Sequence, residues 1–126
     1  KKCKKYSICF IQLLSPTTSK IRMKKIIKDS HNMIYLISML STTGGKLKVS
    51  PQKILKNYNN IKKIDKTKNL VIGFGITSEN IASFKKADGC VVGSEICKKI
   101  SQSVEKKQNP IKNVNNMLKK LRKKIS

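Results

Sequence analysis

Four short apolar runs recur along the chain, and each leads through polar residues into a longer stretch where apolar positions return every three or four residues. Ser7 to Leu14, Met33 to Ser38, Asn69 to Phe74 and Cys90-Val91-Val92 read as strands, and the first is continuous rather than alternating, the pattern of a parallel strand covered on both faces. The intervening stretches carry helix signals. Thr18 or Ser19 is placed to cap a helix with Met23, Ile26 and Ile27 as its inner stripe. Ser50-Pro51 opens another, serine accepting from the first turn and proline fitting its first position, with Ile54, Leu55, Tyr58 and Ile61 on the inner face. Thr77-Ser78-Glu79 opens a short helix carrying Ile81 and Phe84, and Asp88-Gly89 makes a turn. Gly93-Ser94 starts a helix with Ile96, Ile100 and Val104 along one side. Gln108-Asn109-Pro110 ends that helix, and Ile111, Val114, Met117, Leu118 and Leu121 mark an amphipathic terminal one.

The resulting order, βαβαβαβαα, has crossovers long enough for parallel strands and predicts an α/β architecture. Two closures fit it. A doubly wound sheet places its phosphate glycines after the first strand, whereas a (β/α)8 barrel favours the loops after its last two strands. Three glycine-bearing segments follow apolar runs here: Ser41-Thr42-Thr43-Gly44-Gly45, Gly73-Phe74-Gly75 and Gly93-Ser94. Glycine at a strand's end lets backbone N–H groups approach an anion, and Gly93-Ser94 begins a helix whose dipole and hydroxyl favour one. Taken singly, each segment is explained equally well as a tight turn or plain loop. Tyr35 and Phe74 could wall an aromatic pocket or simply pack in a core.

Composition changes this picture little. The 126 residues suit one domain, and 29 Lys+Arg against 6 Asp+Glu give a net charge of +23, which raises nucleic acid or an anionic membrane as partners. The lysines are spread over almost every helical stretch, however, with no arginine cluster, stacking aromatic series, Cys/His finger or basic zipper, so no specific nucleic-acid binding is expected. Cys3, Cys9, Cys90 and Cys97 form no C-x-x-C pair and lie far from the only histidine, His31, which argues against a metal site. Cys9 and Cys90 fall inside apolar runs and are expected as buried free thiols in a reducing cytoplasm. Lys1 to Lys5 followed by Ile8-Cys9-Phe10-Ile11 imitates a signal peptide. There is no initiator Met, Gln12 interrupts the run and no small-x-small cleavage site follows, so a buried strand is expected instead. Nothing approaches the roughly 20 apolar residues of a membrane span.

In order along essentially the whole chain, Phe10-Ile11-Gln12-Leu13-Leu14-Ser15-Pro16-Thr17, Ile34-Tyr35-Leu36-Ile37-Ser38 with Thr43-Gly44, Gly73-Phe74-Gly75-Ile76 and Val92-Gly93-Ser94 together resemble the tryptophan synthase alpha chain. The resemblance implies that residues 1–126 are a single partial domain, the C-terminal half of a (β/α)8 TIM barrel with strands five to eight and the closing helix. It implies the aldol cleavage of indole-3-glycerol phosphate to indole and glyceraldehyde 3-phosphate, within tryptophan biosynthesis. Indole would then pass to a beta subunit, in an alpha2beta2 assembly, that carries pyridoxal phosphate; no cofactor is implied for this chain. Position by position, Gly44, Gly75, Gly93 and Ser94 match the phosphate site, Tyr35 and Phe74 the indole pocket, and Thr43 the closing loop. The family's two catalytic carboxylates belong to the other half. Asp29, Asp65, Glu79, Asp88 and Glu105 sit in helix, loop or turn contexts rather than at strand mouths, so no catalytic residue is expected here and the isolated segment is expected to be inactive. Ser41 and Glu95 depart from the family pattern, and Glu95 is expected to point away from the phosphate. The alternatives are another phosphate-binding TIM-barrel enzyme and a small basic RNA-binding module.

Overall fold

The computed structural model describes residues 2–38 and 49–126. Four strands, β1 (Gln12–Leu14), β2 (Met33–Ile37), β3 (Asn69–Gly73) and β4 (Gly89–Cys90), form one sheet in the order β1-β2-β3-β4, every neighbouring pair parallel. After a short helix α1 (Lys2–Lys5), the strands are separated by α2 (Lys20–Asp29), by α3 (Pro51–Ile64) and by a single 3-10 turn, Ile81–Phe84; α4 (Ser94–Glu105) and α5 (Pro110–Ile125) follow β4.

Local chemistry sets the helix starts where the sequence marks them. Ser19 and Ser50 accept hydrogen bonds from the Arg22 and Lys53 N–H groups, Pro51 and Pro110 occupy first turns, and Asn109 caps α5 through the Lys112 N–H. Strand register then divides the sheet into two unlike faces. The even-numbered residues Leu14, Ile34, Leu36, Leu70 and Ile72 are fully buried, meeting Ile27 of α2, Ile54, Tyr58 and Ile61 of α3, Ile81 and Phe84 of the 3-10 turn, and Leu121 of α5. The odd-numbered face, on which Leu13, Tyr35 and Val71 stand in one row, is only partly covered, and Leu13 keeps 53% of its surface exposed. The first strand, which reads as covered on both faces, is therefore covered on one.

Several expectations need correction. The first strand begins at Gln12, not Ser7, because its partner β2 begins at Met33 and offers no ladder to residues ahead of Ile11; Tyr6, Ile8 and Phe10 are exposed, and so is Cys9. Cys90 is half-buried, and burial pushes its thiol pKa up. On α4 the buried residue is Ser103, while Ile100 and Val104 face solvent. This helix lies against α5, where Ser103 accepts from the Asn113 side-chain amide at 3.0 Å, and none of its residues belongs to the buried core cluster. On α5 only Leu121 is fully buried, and Ile111 and Leu118 are exposed. No helix among the described residues is long and apolar enough to cross a membrane.

Candidate functional site

Two consecutive left-handed residues shape the end of β3. Phe74 and Gly75 both have φ of 67°, which glycine adopts freely and a phenylalanine only at roughly 1–2 kcal/mol. The surrounding structure holds them there. Buried Ser38, just past β2, donates its backbone N–H to the Gly73 carbonyl at 2.9 Å, and directs its hydroxyl proton between the carbonyls of Gly73 (2.6 Å) and Phe74. On the other side, the Asn80 side-chain amide donates to the Gly75 carbonyl at 2.8 Å, while its oxygen accepts from the Thr77 N–H at 2.9 Å. The Phe74 ring stands edge-on to Tyr35, centroids 5.9 Å apart and planes at 86°. Tyr35 lies directly over Gly73. A Cβ at that position would sit 1.8 Å from its hydroxyl oxygen.

The next strand, β4, leads into a helix end. Gly93 precedes α4, and the Ile96 and Cys97 N–H groups bond back to its carbonyl at 2.9 and 3.2 Å. No side chain caps this helix, and among the described residues the N–H groups of Ser94 and Glu95 have no acceptor. Such orphan donors carry the positive end of the helix dipole. A Cβ at Gly93 would meet nothing within 4 Å, so the backbone is open to an approaching group.

Between these two turns lies a hollow of about 300 Å³ lined by Tyr35, Phe74, Gly75, Ile76, Val91, Gly93 and Ser94. One side is aromatic and aliphatic. The other offers backbone donors and a hydroxyl, an arrangement suited to a ligand with a flat apolar part and an anionic end. Tyr35, Phe74, Gly75, Gly93 and Ser94, all marked from the sequence, meet here; Thr43, Gly44 and the variant Ser41 lie outside the described residues. Ser38, Asn80, Ile76, Val91 and the packing surface at Gly73 are not among the site residues that the sequence marks. Asn80 had a local signal, an asparagine three residues after Thr77 and just ahead of apolar Ile81, whereas Ser38 acts on residues 35 and 36 positions away and had none.

The carboxylates keep away from this hollow. Glu95 lines a separate cleft with Glu79, Lys98 and Lys120 between α4 and α5. Asp65 accepts from the Thr67 hydroxyl and N–H in an exposed turn, and those bonds hold its pKa down. Asp88 accepts from the Leu70 N–H at 2.7 Å and the Lys62 ammonium at 2.8 Å. That position, ahead of β4 and against the first residues of β3, is the opposite end of the strands from Gly75 and Gly93.

The family model for the tryptophan synthase alpha chain matches residues 1–126, the whole chain. The chain belongs to the tryptophan synthase alpha chain family. It is 70% identical over 126 residues to the tryptophan synthase alpha chain of Pelagibacter ubique, covering all of this chain and 48% of that protein. With the Aquifex aeolicus alpha chain the identity is 34% over 123 residues, 94% of this chain and 44% of the relative. Among solved structures, the tryptophan synthase subunit alpha of Legionella pneumophila superposes with a TM-score of 0.78 at 29% identity, over 97% of this chain and 44% of that one. The chain thus spans about half the length of the relatives it matches. Its four parallel strands and alternating helices are half of a TIM barrel, which decides between the two closures the sequence left open.

Proposed function

We propose that this chain supplies strands five to eight and the closing helix of a tryptophan synthase alpha barrel, and with them the phosphate and indole contacts for aldol cleavage of indole-3-glycerol phosphate to indole and glyceraldehyde 3-phosphate. The observation that carries the reading is the convergence of Tyr35, Phe74, Gly75, Gly93 and Ser94 on one hollow from two βα turns and a neighbouring strand. The phosphate lies against the Gly75 turn and the first turn of α4, where backbone N–H groups and the Ser94 hydroxyl donate to its oxygens. The indole ring rests between Tyr35 and Phe74. Gly44 and Thr43 complete the phosphate contacts and the closing loop on this reading, in line with the family match.

The acid and base that break the carbon–carbon bond come from the other half of the barrel, and the 126 residues alone are inactive. Their acids support this division, since Asp88 and Asp65 are engaged in structural hydrogen bonds and Glu95 faces a different cleft. Indole passes to a beta subunit, which holds the pyridoxal phosphate; this chain needs no cofactor of its own.

The test uses a full-length barrel in which these residues replace the matching stretch of the Pelagibacter ubique relative. Gly93→Asp sets a carboxylate in the open space beside the helix end and is expected to weaken substrate binding by about a hundredfold or more. Ser94→Ala, which removes one donor, is expected to weaken it about tenfold. Unchanged affinity in both variants rejects the assignment.

A further inference from the structure

We infer that Asn80 and Ser38 are positioning residues, which hold the Phe74-Gly75 turn with its backbone donors turned toward the hollow. The inference rests on the phosphate reading given above and goes beyond it. Three consecutive carbonyls, those of Gly73, Phe74 and Gly75, are each taken by one of these two side chains. In a planar trans peptide the carbonyl and the following N–H point in opposite directions. Fixing the Phe74 carbonyl therefore fixes the Gly75 N–H, and fixing the Gly75 carbonyl fixes the Ile76 N–H. Neither N–H has an acceptor among the described residues, and Gly75 and Ile76 both line the hollow.

Both grips are rooted in rigid parts of the fold. Ser38 is buried at the end of β2, whose Leu36 belongs to the core. Asn80 precedes the 3-10 turn whose Ile81 and Phe84 are buried in that same core, and its amide is oriented by the bond from the Thr77 N–H. A turn of two left-handed residues, one of them phenylalanine, has lower-energy alternatives, so its shape depends on such anchors. Without them the turn relaxes, and phosphate meets donors that must first be reoriented.

Asn80→Ala and Ser38→Ala each cut one grip without altering the charge of the site. In the full-length barrel, titration with inorganic phosphate is expected to show affinity reduced about tenfold in either variant. Without ligand, the amide resonances of Gly75 and Ile76 should shift or broaden in NMR spectra while the amide protons of Leu70 and Ile72 in β3 keep the parent exchange rate. Parental phosphate affinity in both variants overturns the positioning role and leaves the phosphate reading intact. Faster exchange throughout β3 accompanying the affinity loss also overturns it, because the side chains would then be supporting the strand rather than the turn. A parent protein that does not bind phosphate overturns both readings together.

Discussion

Gly73 is the residue at which space, not backbone freedom, demands glycine. Tyr35 crosses over it, and an added Cβ would lie 2.2 Å from the ring carbon that bears the hydroxyl, so the ring as a whole must move. Moving it undoes the edge-on contact with Phe74, the packing that keeps the aromatic side of the hollow in shape. Gly73→Ala is therefore expected to weaken binding of an indole-bearing ligand by about tenfold, and inorganic phosphate by no more than about twofold. A double-mutant cycle identifies the cause. If the clash with Tyr35 is responsible, Gly73→Ala has little further effect in a Tyr35→Ala background; an equal loss in both backgrounds places the cause elsewhere. The exposed Phe74, 53% accessible in a left-handed conformation, is legible only in part from sequence: its aromatic character is visible, and its backbone angle is not.

Elements with local start signals were readable, and those defined by partners were not. Ser19 and Ser50 cap their helices where a capping oxygen and a periodic apolar stripe coincide in the sequence, and Asn109, which reads there only as the end of α4, caps α5. The start of β1 depends on where β2 begins, and the buried side of α4 depends on α5, facts that no local window contains. Asp88 is a similar case: it reads as a turn residue, yet it joins the beginnings of β3 and β4 to α3 through the Leu70 N–H and Lys62. Burial raises its carboxyl pKa, but the bonds from Leu70 and Lys62, with the Tyr58 hydroxyl nearby, outweigh that and hold it below the ordinary aspartate value. A carboxyl whose folded pKa is depressed adds stability that is present above its unfolded pKa of about 4, and is lost as pH falls through the lower folded value. Asp88→Asn in the full-length barrel should thus cost about 1 kcal/mol at neutral pH and noticeably less below about pH 3, measured by denaturant unfolding across pH. A cost independent of pH would show that the ionised form contributes nothing.

At the scale of the molecule, the open face of the sheet and the high positive charge act against each other. Leu13 at 53% exposure and Val91 at 39% lie on or beside the face that helices leave uncovered, and β1 and β4 present unpaired edges among the described residues. Apolar surface next to free strand edges favours association, while a net charge of +23 on each copy opposes it. Salt shifts that balance, since the Debye length falls from about 30 Å at 0.01 M to about 10 Å at 0.1 M and screens repulsion without weakening apolar contact. The 126-residue chain taken alone should therefore gain mass in sedimentation velocity as salt is raised across that range. The surface responsible can be located by adding charge to it. Leu13→Lys and Val91→Lys should suppress the increase, whereas Ile21→Lys, on α2 and already 85% exposed, should leave it in place. If Ile21→Lys suppresses association as strongly as the other two, net charge alone governs the behaviour and the open barrel face has no part in it.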